Sequence, residues 1–429
     1  MRSLPFSEMV EINPWVKLEK GKEYPFISMG VVEPNRRYVS EAEHRIYNGG
    51  GAKFLAGDIL FARITPCLEN GKIAQYKPEG ISTAFGSTEF FIFRSYPSIS
   101  DPGYIYYLAK SDLIRKPAEK SMSGASGRQR ADLSSIKNLK VPAPPLSTQR
   151  KIAAILSAYD DLIENNLRRI KILEEMAQAL YREWFVHFRF PGHEKVRLVD
   201  SPLGKIPEGW EVKNVGVLLS GHIGGGWGKE EKDSKHLYQA HVIRGTDIPQ
   251  VSLMEIDSCP LRYHSESNLR SRKLKPGDLI YEVSGGGKEV PVGRVLMVTE
   301  RILNTFPGDV ICASFCKRMT PNAKVISPFI LFYHLDELHK SERINQYQVQ
   351  STGIKNLKFS VLLDNELVIV PPLIIQEYFI KYIEPIKEGQ ENFALQNILL
   401  RRTRDLLLPK LISGEVEVSD LNITIPEEA

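Results

Sequence analysis

Cysteine is scarce: Cys67, Cys259, Cys312 and Cys316 are four in 429 residues, too few for a disulfide framework. No apolar run approaches the ~20 residues of a membrane span, and the longest, such as residues 326–335, fall well short. Residues 1–6 show no charged segment leading into an apolar one, so no export signal is expected and the chain reads as cytoplasmic, without a membrane partner. Charge of either sign is nearly balanced, with 56 Lys and Arg against 52 Asp and Glu, a net +4. That excludes a protein coating nucleic acid with its whole surface, but permits basic faces set against acidic ones.

Catalytic motifs are lacking as well. Gly285-Gly286-Gly287-Lys288 is followed by Glu289 and has no earlier Gly at the right spacing, so it does not match a phosphate loop. Cys312 and Cys316 lie in an apolar run without a matching Cys/His pair, which suits buried thiols better than zinc. The Pro-Pro pairs follow Ala and Val, not the Asn or Asp of an adenine methyltransferase site. Nine histidines form no His-x-x-x-His pair with a helical Glu, and Gly124-Ala125-Ser126-Gly127 is no nucleophile elbow. No metal or catalytic residue is assigned. The composition, 42% hydrophobic and 25% charged, fits two or three globular domains.

What is present is an internal repeat. Gly57-Asp58 and Gly277-Asp278 each lead through an extended segment to an apolar stretch, Tyr104-Ile105-Tyr106-Tyr107-Leu108 and Phe329-Ile330-Leu331-Phe332-Tyr333. Each copy passes a Gly/Ser segment, at 123–127 and 350–353, then Pro-Pro-Leu at 144–146 and 371–373, then Gln149 or Gln376. The order is shared and most side chains are not, as expected of two similar modules that read different things. Strand-like runs are expected at 58–64, 72–76 and 89–93.

Each Gln opens a helical pattern. In the first, Ile152, Leu156, Tyr159, Ile163, Asn166, Ile170, Leu173, Ala177, Leu180 and Trp184 alternate spacings of four and three, a heptad seam. Ser147 or Thr148 can cap it, and Pro191-Gly192 is expected to end it. Asn166 is either a solvated edge or a register device. In the second, Phe379, Ile383, Ile386, Gln390, Phe393, Asn397, Leu400, Arg404, Leu407 and Leu411 make a weaker seam, and Pro385 and Gly389 should kink or interrupt it. The helices are most simply satisfied by packing antiparallel, with a globular block at either end of the rod.

Candidate DNA contacts lie on loops. Residues 121–130 contain Ser123 and Ser126 and end in Arg128, Gln129 and Arg130. Such a loop can bring amides to a phosphate backbone, Arg to guanine and Gln to adenine, against the plainer reading of a solvated loop. Its counterpart carries Ser351, Thr352 and Lys355. Arg63, Thr65, Asn70 and Lys72 surround a turn whose counterpart holds Lys288 and Arg294; a routine charged hairpin is the alternative. Gly224-Gly225-Gly226-Trp227-Gly228-Lys229 reads as a mobile arm that orders on DNA, or a flexible surface loop. Lys151, Arg168, Arg169, Lys171, Arg401, Arg402 and Arg404 near the seams read as solvated or partner-facing.

Pro-Pro-Leu-x-x-Gln at 144–149 and 371–376, Leu180-Tyr181-Arg182-Glu183-Trp184-Phe185 running to Phe190-Pro191-Gly192, Gly204-Lys205-Ile206-Pro207-Glu208-Gly209-Trp210, and Lys410-Leu411-Ile412-Ser413-Gly414 resemble, in order and along essentially the whole chain, the specificity subunits of type I restriction-modification systems. Pro-Glu-Gly-Trp at 207–210 has no copy before the first domain. The resemblance implies an α+β fold: two similar mixed α/β target recognition domains, residues 1–146 and 191–373. Two long spacer helices, 147–190 and 374–414, would separate them as an antiparallel coiled coil with pseudo-twofold internal symmetry, and 415–429 would form a tail. It implies a non-catalytic subunit that recognises a bipartite, asymmetric site on double-stranded DNA and docks two modification (methyltransferase) subunits and restriction (nuclease/translocase) subunits. S-adenosylmethionine, ATP and Mg2+ would belong to those partners, with no cofactor on this chain. The rival readings are a coiled-coil scaffold without sequence-selective DNA binding and a stand-alone DNA-modifying enzyme.

Overall fold

The computed structural model describes residues 2–40, 43–125, 127–285, 292–351 and 354–425, and the chain clusters into two units, residues 1–165 with 399–429, and residues 166–398. The first unit contains β1 (Ser3–Pro5), β2 (Val10–Ile12), β3 (Tyr38–Val39), β4 (Ile59–Ala62), β5 (Ile73–Tyr76), β6 (Phe90–Ser95), α1 (Pro102–Lys110), β7 (Lys140–Pro142) and the start of α2 (Leu146–Phe185). One sheet has the order β2-β6-β4-β5-β3. Alternate residues of its central strands serve different cores: Ile59, Phe61 and Ile73 pack with α1, whereas Leu60, Ala74 and Tyr76 pack with Ile27 and Phe54 of a second sheet. The period of two across a sheet covered on both faces explains why β4 and β5 are buried at every position.

The second unit contains the rest of α2, then β8 (Glu211–Asn214), β9 (Leu219–Gly224), β10 (Leu279–Glu282), β11 (Val295–Met297), β12 (Cys316–Pro321), α3 (Pro328–Lys340), β13 (Gln348–Ser351), β14 (Ile354–Leu357), β15 (Leu367–Val370) and most of α4 (Leu373–Ser413). Its sheet order β9-β12-β10-β11 repeats β2-β6-β4-β5 strand for strand. The β8–β15 pair likewise repeats the β1–β7 pair. Trp210, from the Pro-Glu-Gly-Trp motif, packs on Phe190 with ring centroids 4.9 Å apart and on Phe185 at 5.9 Å, each such pair adding about 0.5–1.5 kcal/mol beyond area burial.

The repeat extends to single hydrogen bonds. Gly57 and Gly277 hold φ of 87° and 89°, a left-handed geometry that favours glycine. Their N–H groups donate to Tyr76 and Val298 carbonyls, both at 2.8 Å. The Asp58 and Asp278 carboxylates accept from Leu55 N–H (2.7 Å) and Lys275 N–H (2.8 Å). At α1 and α3 the side chains of Asp101 and Ser327 cap a Pro-initiated helix. Gln149 Oε1 accepts from Asp101 N–H, and its amide donates to the Ile99 and Pro144 carbonyls. Gln376 does the same with Ser327 N–H, Val325 and Pro371. The Pro-Pro-Leu-x-x-Gln motif therefore fastens the start of a long helix to the cap of the preceding one.

The long helices depart from expectation in detail. α2 starts at Leu146, so Ser147 and Thr148 lie within its first turn and do not cap it; the Thr148 hydroxyl meets that of Ser419 at 3.3 Å. It ends at Phe185, before Pro191, because Phe188 takes φ 58° while His187 N–H bonds back to Arg182 and Arg189 N–H to Glu183. Ile152, Leu156, Ile163, Asn166, Ala177 and Trp184 are buried, and Ile170 and Leu173 are partly covered. Tyr159 and Leu180 are also only partly covered; their neighbours Asp160 and Tyr181 are buried instead. On α4, Phe379, Ile383 and Leu411 are buried, with Ile386, Phe393, Leu400 and Leu407 partly covered.

The polar positions that weaken the second seam in the sequence are all buried and paired. In the second unit Gln390 donates to Glu174 (3.0 Å) and Asn166 to Asn397 (2.9 Å), so rising numbers on α2 meet falling numbers on α4 and the helices run antiparallel there. In the first unit Arg404 grips Asp160, each only 2% exposed, and the Tyr107 hydroxyl donates to the same carboxylate. α4 runs through Pro385 and Gly389 without interruption. Pro385 sits on the exposed face, where water can meet the carbonyl its ring leaves unbonded. At Gly389 a Cβ would stand 3.3 Å from Leu173 Cδ1, so the missing side chain permits close approach.

Candidate nucleic-acid interface

In the first unit the two candidate loops form one surface. Arg63 follows β4, its carbonyl accepts from Ala131 N–H (2.8 Å), and Thr65 N–H donates to the Gln129 carbonyl (2.9 Å). Ser123 and Arg130 exchange backbone hydrogen bonds at 3.1 and 2.9 Å. Between the loops stands Glu89, on the turn at 87–90. Its carboxylate accepts from Arg130 Nη2 (2.6 Å) and Nε (2.9 Å), and from Arg63 Nε (3.3 Å). The Arg130 hydrogen bond, aided by the charges of Arg130 and Arg63, holds the Glu89 carboxyl below its ordinary range. Two guanidiniums sharing one carboxylate are pre-oriented and carry one surplus positive charge.

The remaining candidates there divide. Arg128, Ser123 and Asn70 are exposed and Gln129 is half-buried. The Thr65 hydroxyl turns to Glu69 (3.4 Å), and the Lys72 ammonium donates to the Met29 carbonyl (2.8 Å), bracing the turn. Ser126 lies outside the described residues.

The second unit presents the same frame with other chemistry. Leu357 N–H donates to the Val283 carbonyl at 2.8 Å, matching Ala131 and Arg63, and Val283 N–H donates to Phe315 at 2.9 Å, matching Arg63 and Glu89 at 3.0 Å. Ser284 and Gly285 pair with Asn356 and Lys355 of the β13–β14 hairpin. Val283, Phe315 and Asn356 thus occupy the places of Arg63, Glu89 and Arg130. Phe315 is 65% exposed, and Ser284 Oγ donates to Asn356 Oδ1 at 2.6 Å. Lys355 is partly covered. Lys288 and Thr352 lie outside the described residues, and Ser351 is described by its backbone alone, paired with Ile354.

Two expectations change here. Arg294 forks onto the buried Glu282 carboxylate at 2.6 and 2.8 Å, so its donors hold the core together. The glycine-rich stretch is neither a mobile arm nor a loose loop. Gly225 and Gly226 N–H bond the Cys316 and Cys312 carbonyls, and a Cβ on Gly225 would collide with the Ala313 carbonyl. Lys229 remains exposed, its backbone paired with Tyr263. Along the helices, Lys151 donates to the Ser419 carbonyl and Arg169 lies 5.3 Å over Phe393. Cys312 and Cys316 are buried, and burial pushes the Cys312 thiol up to about 12.

Sequence reasoning missed Glu89 and Phe315. They become equivalent only through strand register, which motif matching does not reveal.

A family model described as the type I restriction modification DNA specificity domain matches residues 8–175. The chain is 27% identical over 423 residues to the type I restriction enzyme MjaIX specificity subunit of Methanocaldococcus jannaschii, covering 95% of this chain and 88% of that protein. It is 22% identical over 429 aligned residues to the HindI specificity subunit of Haemophilus influenzae, covering 84% and 86%. Among solved structures, the type I restriction-modification S subunit of M. genitalium superposes with a TM-score of 0.46 at 14% identity, over 96% of each chain.

Proposed function

We infer the role of this chain from its likeness to type I restriction-modification specificity subunits: it supplies DNA sequence choice and performs no chemistry itself. One observation carries the reading. A single hydrogen-bonded frame recurs in both units with different tips, Arg63, Glu89 and Arg130 in one and Val283, Phe315 and Asn356 in the other. A shared frame with unlike donors and apolar groups is what reading two unlike half-sites requires, because base edges differ in their donor, acceptor and methyl pattern.

The partners are a DNA duplex and the modification and restriction subunits. Two modification subunits per chain would match the twofold repeat. S-adenosylmethionine, ATP and Mg2+ would be held by those partners, with the target adenine flipped into a modification subunit, and the complex would work in the cytoplasm. The exposed candidates Ser123, Arg128, Asn70 and Lys229, with Gln129, Arg130, Arg63 and Lys355, would face the DNA. The lengths of α2 and α4, 40 and 41 residues or about 60 Å each, would set the gap between half-sites. The test exchanges residues 1–143 for the corresponding domain of another family member and maps methylated adenines. One half-site should change and the other persist; a joint change would refute separate reading. A complex with no detectable sequence choice would favour the scaffold alternative.

A further inference from the structure

Three residues past the edge strand of each sheet stands an exposed tryptophan: Trp15 after β2, which ends at Ile12, and Trp227 after β9, which ends at Gly224. They are 78% and 41% exposed, whereas Trp184 and Trp210 are buried. Leaving a large aromatic face in water forgoes the burial such side chains normally gain. Neither indole hangs on a loose segment. Asn13 donates its N–H to the Ile92 carbonyl (2.7 Å) and accepts from Ile92 N–H on Oδ1 (3.0 Å), fixing the chain two residues before Trp15. Gly225 and Gly226 are fixed to Cys316 and Cys312 just before Trp227.

Each ring stands near cations and beside the equivalent turn, and the concave space is seen at Trp15. Trp15 borders a cavity of about 400 Å³ that also meets Lys53, Arg63, Thr88 and Phe91, beside the turn that carries Glu89. Gly225 packs against Ala313, at the start of the equivalent turn that carries Phe315. The Arg262 guanidinium, paired with Glu230 at 2.9 Å, lies 5.0 Å over one face of the Trp227 ring and leaves the other open, and Lys229 is exposed two residues on. An accessible ring, a concave space and flanking cations are the combination that accepts a nucleobase while neutralising its phosphates.

We propose that Trp15 and Trp227 are equivalent DNA-contacting residues, each inserting its indole at a base step of the half-site read by its own unit. Lys53 and Arg63 in one unit, and Lys229 in the other, hold the adjoining phosphates. The proposal rests on the specificity-subunit reading and names where, within each unit, bases are met. Apolar side chains inserted between base pairs unstack the step and let the duplex bend.

The test uses the full chain assembled with its modification subunit, and a duplex carrying the mapped site with 2-aminopurine in either half-site at a position other than the methylated adenine, whose flipping would itself raise emission. Binding should raise 2-aminopurine emission in both half-sites. Trp15→Ala should abolish the rise in one half-site only and weaken binding roughly 5- to 150-fold; Trp227→Ala should do so in the other. Trp15→Phe should keep most of the signal, and the thermal midpoint of Trp15→Ala should be unchanged because that ring is 78% exposed. Unaltered emission and affinity in both alanine variants, or loss of both signals in either one, overturns the proposal. So does loss of complex assembly, which would make the indoles a protein-docking surface. A wild-type complex that binds every duplex alike sinks the specificity reading itself.

Discussion

At Glu89 one carboxylate restrains two arginines that would otherwise face solvent with free donors. Its folded-state acidity is strengthened by them, so the sign follows directly. The stabilisation is present above the ordinary glutamate range and is lost as pH falls through the lowered folded value, leaving the cluster intact at neutral pH. Glu89→Gln removes the negative charge and keeps the shape. Binding to non-cognate DNA should rise several-fold, and the salt dependence should steepen by about one phosphate contact. Filter binding or fluorescence anisotropy at several salt concentrations checks this, and an unchanged slope would mean that these guanidiniums do not meet phosphate. Glu89 was illegible in the sequence because a lone Glu before an apolar run has no signature. Its meaning comes from residues 26 and 41 positions away.

At the scale of elements, the long helices were legible because heptad spacing is a local signal, as was the Gly-Asp start of the central strands. Which residue of each turn faces inward was less so. Asp160 was passed over for Tyr159 because a carboxylate does not count as apolar, yet Arg404 and Tyr107 give it the partners that make burial tolerable. The same bias made Gln390, Asn397 and Arg404 look like defects, when their seven-residue spacing places each in the seam against a polar partner. The Arg404 pair gives a sharp test. Arg404→Met leaves Asp160 charged and buried without its cation, and should cost about 3–5 kcal/mol. Adding Asp160→Leu should recover part of that loss, the remainder being the cost of leaving the buried Tyr107 hydroxyl without its acceptor. Urea midpoints of the two variants decide it; equal losses in single and double variants would show that packing, not charge, fills this layer.

At the scale of the whole molecule, the sequence disclosed the duplication but not what each copy reads, because the frame is backbone hydrogen bonding and the difference lies in a few tip side chains. The spacing of the two readings is a separate quantity, which we assign to helix length, and it can be altered without touching either tip. Deleting residues 167–173 together with 390–396 removes one heptad from each long helix while keeping Asn166 and Asn397 in the seam. Seven residues are nearly two helical turns, so the buried faces return to register. Each helix shortens by about 10 Å, equivalent to about three base pairs at 3.4 Å each. Methylation mapped at single-base resolution should then fall on sites whose half-sites are unchanged and whose gap is about three base pairs shorter. A complex that still demands the original gap would show that something other than these helices measures it, and the heptad seam would keep only the task of assembly.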